Sequence, residues 1–158
     1  APFTRSGGEN SYSLHAELQE ITHNLVGIIR TGAELKEAIE KIAEIRKRSA
    51  NVSVAGGRKF NPGFHLAFDL DNMLLVAEST AKSAISREES RGGHTRDDFP
   101  QLDSKWRQVN HIASFDGKEV TVRKQPLPAL PKELFDLFDV HELEKYMTAD
   151  EIAKGGAR

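Results

Sequence analysis

The spacing of apolar residues predicts two helices in the first third of the chain. Between residues 13 and 30 the apolar positions recur three and four residues apart, which places them on one helical face. They are Leu14, Leu18, Ile21, Leu25, Ile28 and Ile29. Thr31 followed by Glu34 forms a capping-box pattern and predicts a second helix start there. Leu35, Ala38, Ile39, Ile42 and Ile45 continue that second helix to about Ser49.

A long third helix is predicted from the stretch 64–89, which contains neither Gly nor Pro. Pro62 suits the first turn of that helix, because proline lacks the N–H group that a first turn leaves unbonded. Small side chains in its second half, among them Ala77, Ala81 and Ala84, permit close approach of a neighbouring backbone. Gly92 and Gly93 are predicted to end the helix.

The pattern after residue 100 predicts a change of architecture. Short β-branched or aromatic runs at 106–115 and 119–124 flank Asp116 and Gly117, a strong signal for an antiparallel hairpin. Prolines at 126, 128 and 131 predict an extended connection. Short helices are expected at 133–138 and 141–147.

Together these elements predict a mainly α fold: a spectrin-repeat-like, up-down-up three-helix bundle, followed by a β-hairpin and an extended tail with short helices. The expected domain organisation is a flexible lead-in at 1–12, the bundle with its charged loop at 13–100, the hairpin at 101–126 and a Pro-rich tail at 127–158.

Composition and charge exclude several classes of function. A formal net charge of −2 over 158 residues creates no field that would attract nucleic acid. The absence of cysteine excludes disulfides and iron-sulfur ligation within the chain. The glycine pairs lack the spacing of a dinucleotide-binding turn, and the histidines are scattered, so no cofactor site, metal site or catalytic residue is predicted in this chain.

The densest cluster of polar chemistry is the charged segment, residues 87–100, which carries three arginines, four acids and one histidine. One interpretation is a solvated helix end with a glycine cap. The other is an interdomain interface, because guanidinium and carboxylate groups beside a small-residue helix can make bidentate bonds to a neighbouring domain. The candidate interface residues are Arg87, Glu89, Ser90, Arg91, Gly92, His94, Arg96 and Asp98.

This segment also resembles a known family. Residues 89–100, with Trp106 beyond them, are similar to the E-S-R-G-(A/G)-H-x-R-x-D-(F/Y)-P stretch of succinate dehydrogenase and fumarate reductase flavoproteins. Residues 14–19 and 26–30 resemble the first helix of the C-terminal domain of those proteins, and residues 71–74 and 77–79 resemble its third helix. The resemblance covers about residues 12–110.

The resemblance implies that the chain is a structural, catalytically inactive C-terminal domain that packs on the FAD domain of the same subunit. The parent subunit would interconvert succinate and fumarate with FAD and pass electrons to an iron-sulfur subunit and quinone, as part of the tricarboxylic acid cycle and electron transport. The expected location is cytoplasmic, with the parent complex held by a membrane anchor at the cytoplasmic face. Two alternatives stay open: the C-terminal domain of L-aspartate oxidase, and an independent helical protein-interaction module.

Overall fold

Three long helices pack against one another and form the hydrophobic core. The computed structural model describes residues 2–128 and 130–155, about half of them helical. The long helices are α1 (Ser11–Leu25), α2 (Gly32–Ser49) and α3 (Pro62–Ser86), and each contacts the other two. Their fully buried side chains are Leu14, Leu35, Ala38, Ile42, Ile45, Leu70, Leu74 and Ala81. The predicted mainly helical fold is confirmed.

Each long helix begins at a side-chain cap that the sequence supplies. The side-chain oxygen Oδ1 of Asn10 accepts hydrogen bonds from N–H groups in the first turn of α1. The side chain of Asn61 caps α3 in the same way ahead of Pro62. At α2 the Glu34 N–H donates to Thr31 Oγ1, and the Thr31 N–H donates to Glu34 Oε2 at 2.7 Å. The predicted capping box is therefore present and fixes where α2 begins.

Helix α1 ends at Leu25, five residues before the predicted end at Arg30. Gly27 weakens a helix at this point, and the Arg30 guanidinium donates to the carbonyls of Val26 and Gly27, both at 3.0 Å. The chain then forms the short strand β2 (Ile29–Arg30), and Ile29 is exposed. The apolar spacing therefore extended the predicted helix too far.

Helix α3 also ends earlier than predicted, at Ser86 instead of about residue 89. Arg87 has an extended backbone, and its N–H donates to the Ala84 carbonyl at 3.2 Å. Gly92 has a φ of +59° and forms a turn between Arg91 and His94, which are joined by an antiparallel bridge. The glycines thus shape a separate turn and do not end the helix.

Two short parallel strand pairs fasten the connections between the helices. β1 (Glu9–Asn10) pairs with β3 (Val52–Ser53), and β2 pairs with β4 (Thr95–Arg96). The predicted flexible lead-in makes specific contacts with the bundle. Its residues Pro2–Thr4 form a 3-10 turn, and the Pro2 carbonyl accepts from the Val54 N–H at 3.0 Å. The Phe3 ring lies 5.0 Å from the Phe64 ring.

The predicted hairpin is confirmed as β5 (Val109–Phe115) and β6 (Val120–Pro126). The turn at Asp116 and Gly117 extends over residues 116–119, where Asp116 Oδ1 accepts from the N–H groups of Lys118 and Glu119, both at 2.8 Å. Trp106 was predicted in the first strand but lies in a separate helical turn, α4 (Ser104–Arg107), which Asp103 caps. The hairpin packs on α3 and buries Val120.

The tail contains α5 (Lys132–Phe135), α6 (Val140–Leu143) and α7 (Ala149–Ala153). Short helices near the first two of these positions were predicted, whereas α7 was not, although Thr148 and Glu151 form a capping box at its start. Arg107 Nε donates to Glu151 Oε1 at 2.6 Å and holds α7 against α4. No helix among the described residues is long and apolar enough to cross a membrane.

Leu74→Ala tests the central packing of α3. Leu74 is fully buried, so we expect the substitution to lower the free energy of unfolding of this chain by about 2–5 kcal/mol. Val76, two residues further along the same helix, is 65% exposed, so Val76→Ala is the matched control. Urea denaturation measures both, and equal losses would contradict the described core.

Candidate functional site

Arg96 lies at the centre of the charged segment and caps the C-terminal end of α3. Its side chain is only 3% exposed. Its Nη1 group donates to three backbone carbonyls, those of Ala84 at 3.1 Å, Ile85 at 3.2 Å and Arg87 at 3.2 Å. Carbonyls at the C-terminal end of a helix lack the usual N–H partner four residues further on, and a cation there complements the negative end of the helix dipole.

Asp98 connects the same guanidinium to the beginning of α2. Arg96 donates to Asp98 Oδ1 through Nε at 2.7 Å and to Oδ2 through Nη2 at 2.8 Å. Asp98 Oδ2 also accepts from the N–H of Gly32, the first residue of α2, at 2.9 Å. The Arg96 hydrogen bonds, more than the Gly32 bond, lower the pKa of Asp98 to about 2. The pair therefore joins two helix ends of opposite polarity.

Gly32 leaves the space that this junction needs. A Cβ atom added there would lie 2.9 Å from Arg96 Nη2 and 3.1 Å from Asp98 Oδ2. The guanidinium cannot retreat easily, since three carbonyls already hold it. Gly32 is thus required by a close approach and not by an unusual backbone angle.

Glu89 is completely buried and neutralises two other arginines of the segment. Its carboxylate accepts from Arg91 Nε and Nη2, both at 3.0 Å, and lies 3.4 Å from Arg87 Nη2. It also accepts from the Asp103 N–H at 3.0 Å. Removing either Arg91 or Glu89 would leave a buried charge without its partner, which is strongly unfavourable.

Arg87, Arg91 and Ser90 link the segment to the rest of the domain. Both terminal nitrogens of Arg87 donate to the Trp106 carbonyl, at 3.1 and 2.6 Å. Arg91 donates to the carbonyl of Tyr146 in the tail and to that of Asp103. The Ser90 hydroxyl accepts from the Arg96 N–H at 2.9 Å and lies 3.0 Å from the Phe99 carbonyl, to which it can donate.

His94 is held as a neutral imidazole. Its Nδ1 lies 2.7 Å from Arg30 Nη2, which can only donate, and its Nε2 lies 3.1 Å from the Arg87 carbonyl, which can only accept. The proton is therefore on Nε2. Burial, together with the charges of Arg30, Arg87 and Arg96, holds the pKa of His94 below its ordinary value against the opposing effect of the Arg87 carbonyl.

The structure thus brings the eight predicted residues together, but mainly to serve contacts inside the domain. Glu89 and Arg96 are buried, whereas Gly92 and Asp98 are exposed. Two contributors were missed by the sequence reasoning, Arg30 and Gly32. Their positions immediately before and after the capping residue Thr31 offered only a weak signal, because helix-start patterns do not reveal what a distant segment places beside them.

Beside this junction, α3 borders an open groove of about 680 Å³, which we call the basic groove. It is lined by Arg30, Leu75, Val76, Ser79, Thr80, Ser83, Ala84, Arg87, His94, Val109, Asn110 and His111. A second groove of about 590 Å³ lies between α1 and α3 and shares Val76 and Thr80 with the first. The two grooves adjoin along α3 at these two residues.

The elements typical of a flavin or metal site are not found among the described residues. Flavin binding of the expected type needs a strand, a Gly-rich turn and a helix N-terminus directed at phosphate. In the described residues each strand ladder has two strands, and neither parallel pair exceeds two residues per strand. The described residues also contain no cluster of three His, Cys, Asp or Glu side chains that could hold a metal ion.

Comparison with known families decides the relationship. The family model described as fumarate reductase flavoprotein C-term matches residues 15–134, which include α1 from residue 15 onward, all of α2 and α3, and the whole charged segment. The chain belongs to this family. The comparisons favour it over the C-terminal domain of L-aspartate oxidase and over an unrelated helical module.

Relatives and solved structures agree with this membership. An uncharacterized FAD-dependent oxidoreductase of Methanocaldococcus jannaschii is 42% identical, covering 64% of this chain and 18% of that protein. The fumarate reductase flavoprotein subunit of Helicobacter pylori strain J99 is 32% identical, covering 83% of this chain and 18% of that protein. The structure of Mycobacterium smegmatis Sdh1 in complex with UQ1 has a TM-score of 0.85 at 46% identity, covering 97% of this chain and 26% of that chain.

The chain therefore spans about a fifth of the length of the curated relatives it matches. The matched part is the family's C-terminal region, in accord with the resemblance noted for residues 89–100.

Arg96→Lys tests the helix junction. Lysine keeps the charge but cannot make a two-point bond to Asp98 while also bonding three carbonyls, so we expect unfolding to become easier by about 3 kcal/mol. Arg123 is exposed on the hairpin, and Arg123→Lys is the control. Chemical denaturation of this chain measures both. A loss no larger than the control's would show that the junction does not need a guanidinium.

The neutral state of His94 predicts a pH dependence of stability. Its pKa is lowered on folding, so the unfolded chain binds the proton more readily, and stability should fall as pH drops below about 6.5. His94→Gln should flatten the decline measured between pH 7.5 and 5.5. His111, whose pKa is also lowered by burial, should contribute the remainder, which His111→Gln isolates. An undiminished slope in His94→Gln would refute the neutral assignment.

Proposed function

We propose that this chain is the structural C-terminal domain of a flavoprotein subunit that interconverts succinate and fumarate. The observation that carries the proposal is the family match over residues 15–134. The parent subunit would hold FAD in its preceding region and pass electrons to an iron-sulfur subunit and on to quinone. Its place would be in the tricarboxylic acid cycle and electron transport, in a complex anchored at the cytoplasmic face of the membrane.

In this proposal the domain is a rigid platform for the FAD domain. The helices α1, α2 and α3 run up, down and up, as in a spectrin repeat, and the charged segment holds two of them at one end. Arg87, Ser90, Arg91 and Gly92 shape the surface next to the interface, while Glu89 and Arg96 act from inside by fixing the backbone. The hydrogen bonds inside the segment support such an indirect role.

The domain would contribute no group to the chemical step. FAD supplies hydride transfer when bound in the preceding region of the subunit, and the substrate-contacting residues would lie there too. This chain's own side chains would orient that region and exclude water from the contact. A freely moving C-terminal domain would leave apolar surface of both regions exposed, which is unfavourable.

Expression as two polypeptides tests the proposal. The preceding region of the subunit is produced with this chain as a separate polypeptide, and the pair is purified through a tag on the chain. We expect a stoichiometric complex that carries flavin, and no flavin absorption band from this chain alone. If the chain does not retain the preceding region, or if it binds flavin or reduces fumarate alone, the proposal fails.

Arg91→Ala in the complete subunit gives a second readout. Because Arg91 connects Glu89 to the tail, its loss should lower the melting temperature and the flavin content while leaving the KM for succinate unchanged. Arg123→Ala, on the exposed hairpin, is the control. A raised KM with normal stability and flavin content would contradict the structural role.

A further inference from the structure

The basic groove contains two arginines and no carboxylate among its described lining residues. Arg30 and Arg87 supply its positive charge, and the neutral ring of His94 and the ring of His111 lie beside them. The nearest carboxylates of the charged segment already form ion pairs with arginines of that segment or lie outside the groove. Glu89 is buried against Arg91 and Arg87, and Asp98 is bonded to Arg96.

The two arginines differ in how far their charge is neutralised. Arg30 donates to two carbonyls and to the neutral ring of His94 and has no carboxylate partner among the described residues. Arg87 lies 3.4 Å from the buried carboxylate of Glu89, which it shares with Arg91. Burial lowers the pKa of Arg30 most, and the charge of Arg96 adds to that effect. The unpaired guanidinium of Arg30 makes the potential in the groove positive, which suits an anion.

One donor at this place is buried and unused. Arg30 Nε has no hydrogen-bond partner within the described structure, although its atom is shielded from solvent. Buried donors are bonded in the great majority of native proteins, so the Arg30 guanidinium retains unused hydrogen-bonding capacity beside the groove.

The floor of the groove permits close approach of another chain. Ser79, Ser83 and Ala84, which line it, have small side chains. Val76, which borders both this groove and the groove between α1 and α3, is 65% exposed. These small and apolar side chains favour contact with an apolar surface that surrounds the bound anionic group. A free dicarboxylate would leave this apolar part exposed, whereas a folded domain would cover it.

We propose that the basic groove receives an Asp or Glu side chain from the FAD-binding region of the same subunit, which makes an ion pair with Arg30 and Arg87 inside an apolar contact. The inference rests on the proposed function and names the face and the chemistry of that contact. The chain spans 26% of the Sdh1 chain that it resembles, so most of the corresponding subunit lies outside it and is available to supply this carboxylate.

Ser83→Asp gives a test whose sign depends on context. Ser83 lines the groove one helical turn before Arg87, and Arg96 already compensates the helix end. In this chain alone the new carboxylate should raise the melting temperature above that of the uncharged control Ser83→Asn by about 2 °C. High salt should reduce this gain. In the complete subunit the same carboxylate would repel the incoming one, and flavin should be released at a lower temperature than in the control.

The possible results separate the ideas. A higher transition temperature than the Asn control in both contexts means that the groove attracts anions but is not covered by a carboxylate of the FAD-binding region. No difference from the Asn control in either context means that the groove has no net positive potential. Either result overturns the inference. Ser79→Asp, one turn away from Ser83, repeats the comparison if Ser83→Asp does not fold. Failure of the two-polypeptide complex would overturn the proposed function, whereas a normal complex with no effect at Ser83 would overturn this inference alone.

Discussion

The guanidinium of Arg96, paired with Asp98, is the interaction on which the rest of the structure depends. It bonds carbonyls at the C-terminal end of α3, and its carboxylate partner bonds the first N–H of α2, so the two charges face helix ends of the complementary sign. The pair sits beside the short parallel contact between β2 and β4. A single ion pair between a buried arginine and an exposed aspartate thereby fixes where one helix ends, where another begins and which loop lies between them.

The charged segment extends this role from two helices to the whole domain. Glu89 fixes the chain near Asp103, Arg87 holds α4 through Trp106, and Arg91 reaches the tail. A buried ion pair contributes little net stability compared with an apolar packing of the same volume, but it is unfavourable to break and tolerates few alternative arrangements. The network therefore specifies the arrangement of hairpin and tail on the bundle more than it adds stability. The apolar core provides the larger driving force.

Local signals were enough to predict the elements, and contacts between distant segments decided their limits. The capping box at Thr31, the first-turn proline at 62 and the hairpin turn at Asp116 were readable because each depends on neighbours within four residues. The end of α1 was not, since Arg30 reaches back to the helix end while also bonding His94, 64 residues away. For the same reason the charged segment could be singled out, but its internal hydrogen bonds could not be foreseen.

The balance of charge around the junction supports the proposed interface beside it. Arg87, Arg91 and Arg96 converge on two carboxylates, those of Glu89 and Asp98, whereas Arg30 bonds two carbonyls and His94. The other acids of the segment, Glu88 and Asp97, are exposed and do not line the groove. A protonated His94 would add a fifth positive charge, which is why the fold holds it neutral between a donor and an acceptor. The remaining positive charge, that of Arg30, lines the basic groove. A carboxylate that entered the groove under an apolar cover would act in a medium of lower dielectric constant, where the same charges attract more strongly. The ion pairs that hold the domain together thus leave unneutralised positive charge on its surface, and a carboxylate of a neighbouring domain would neutralise it.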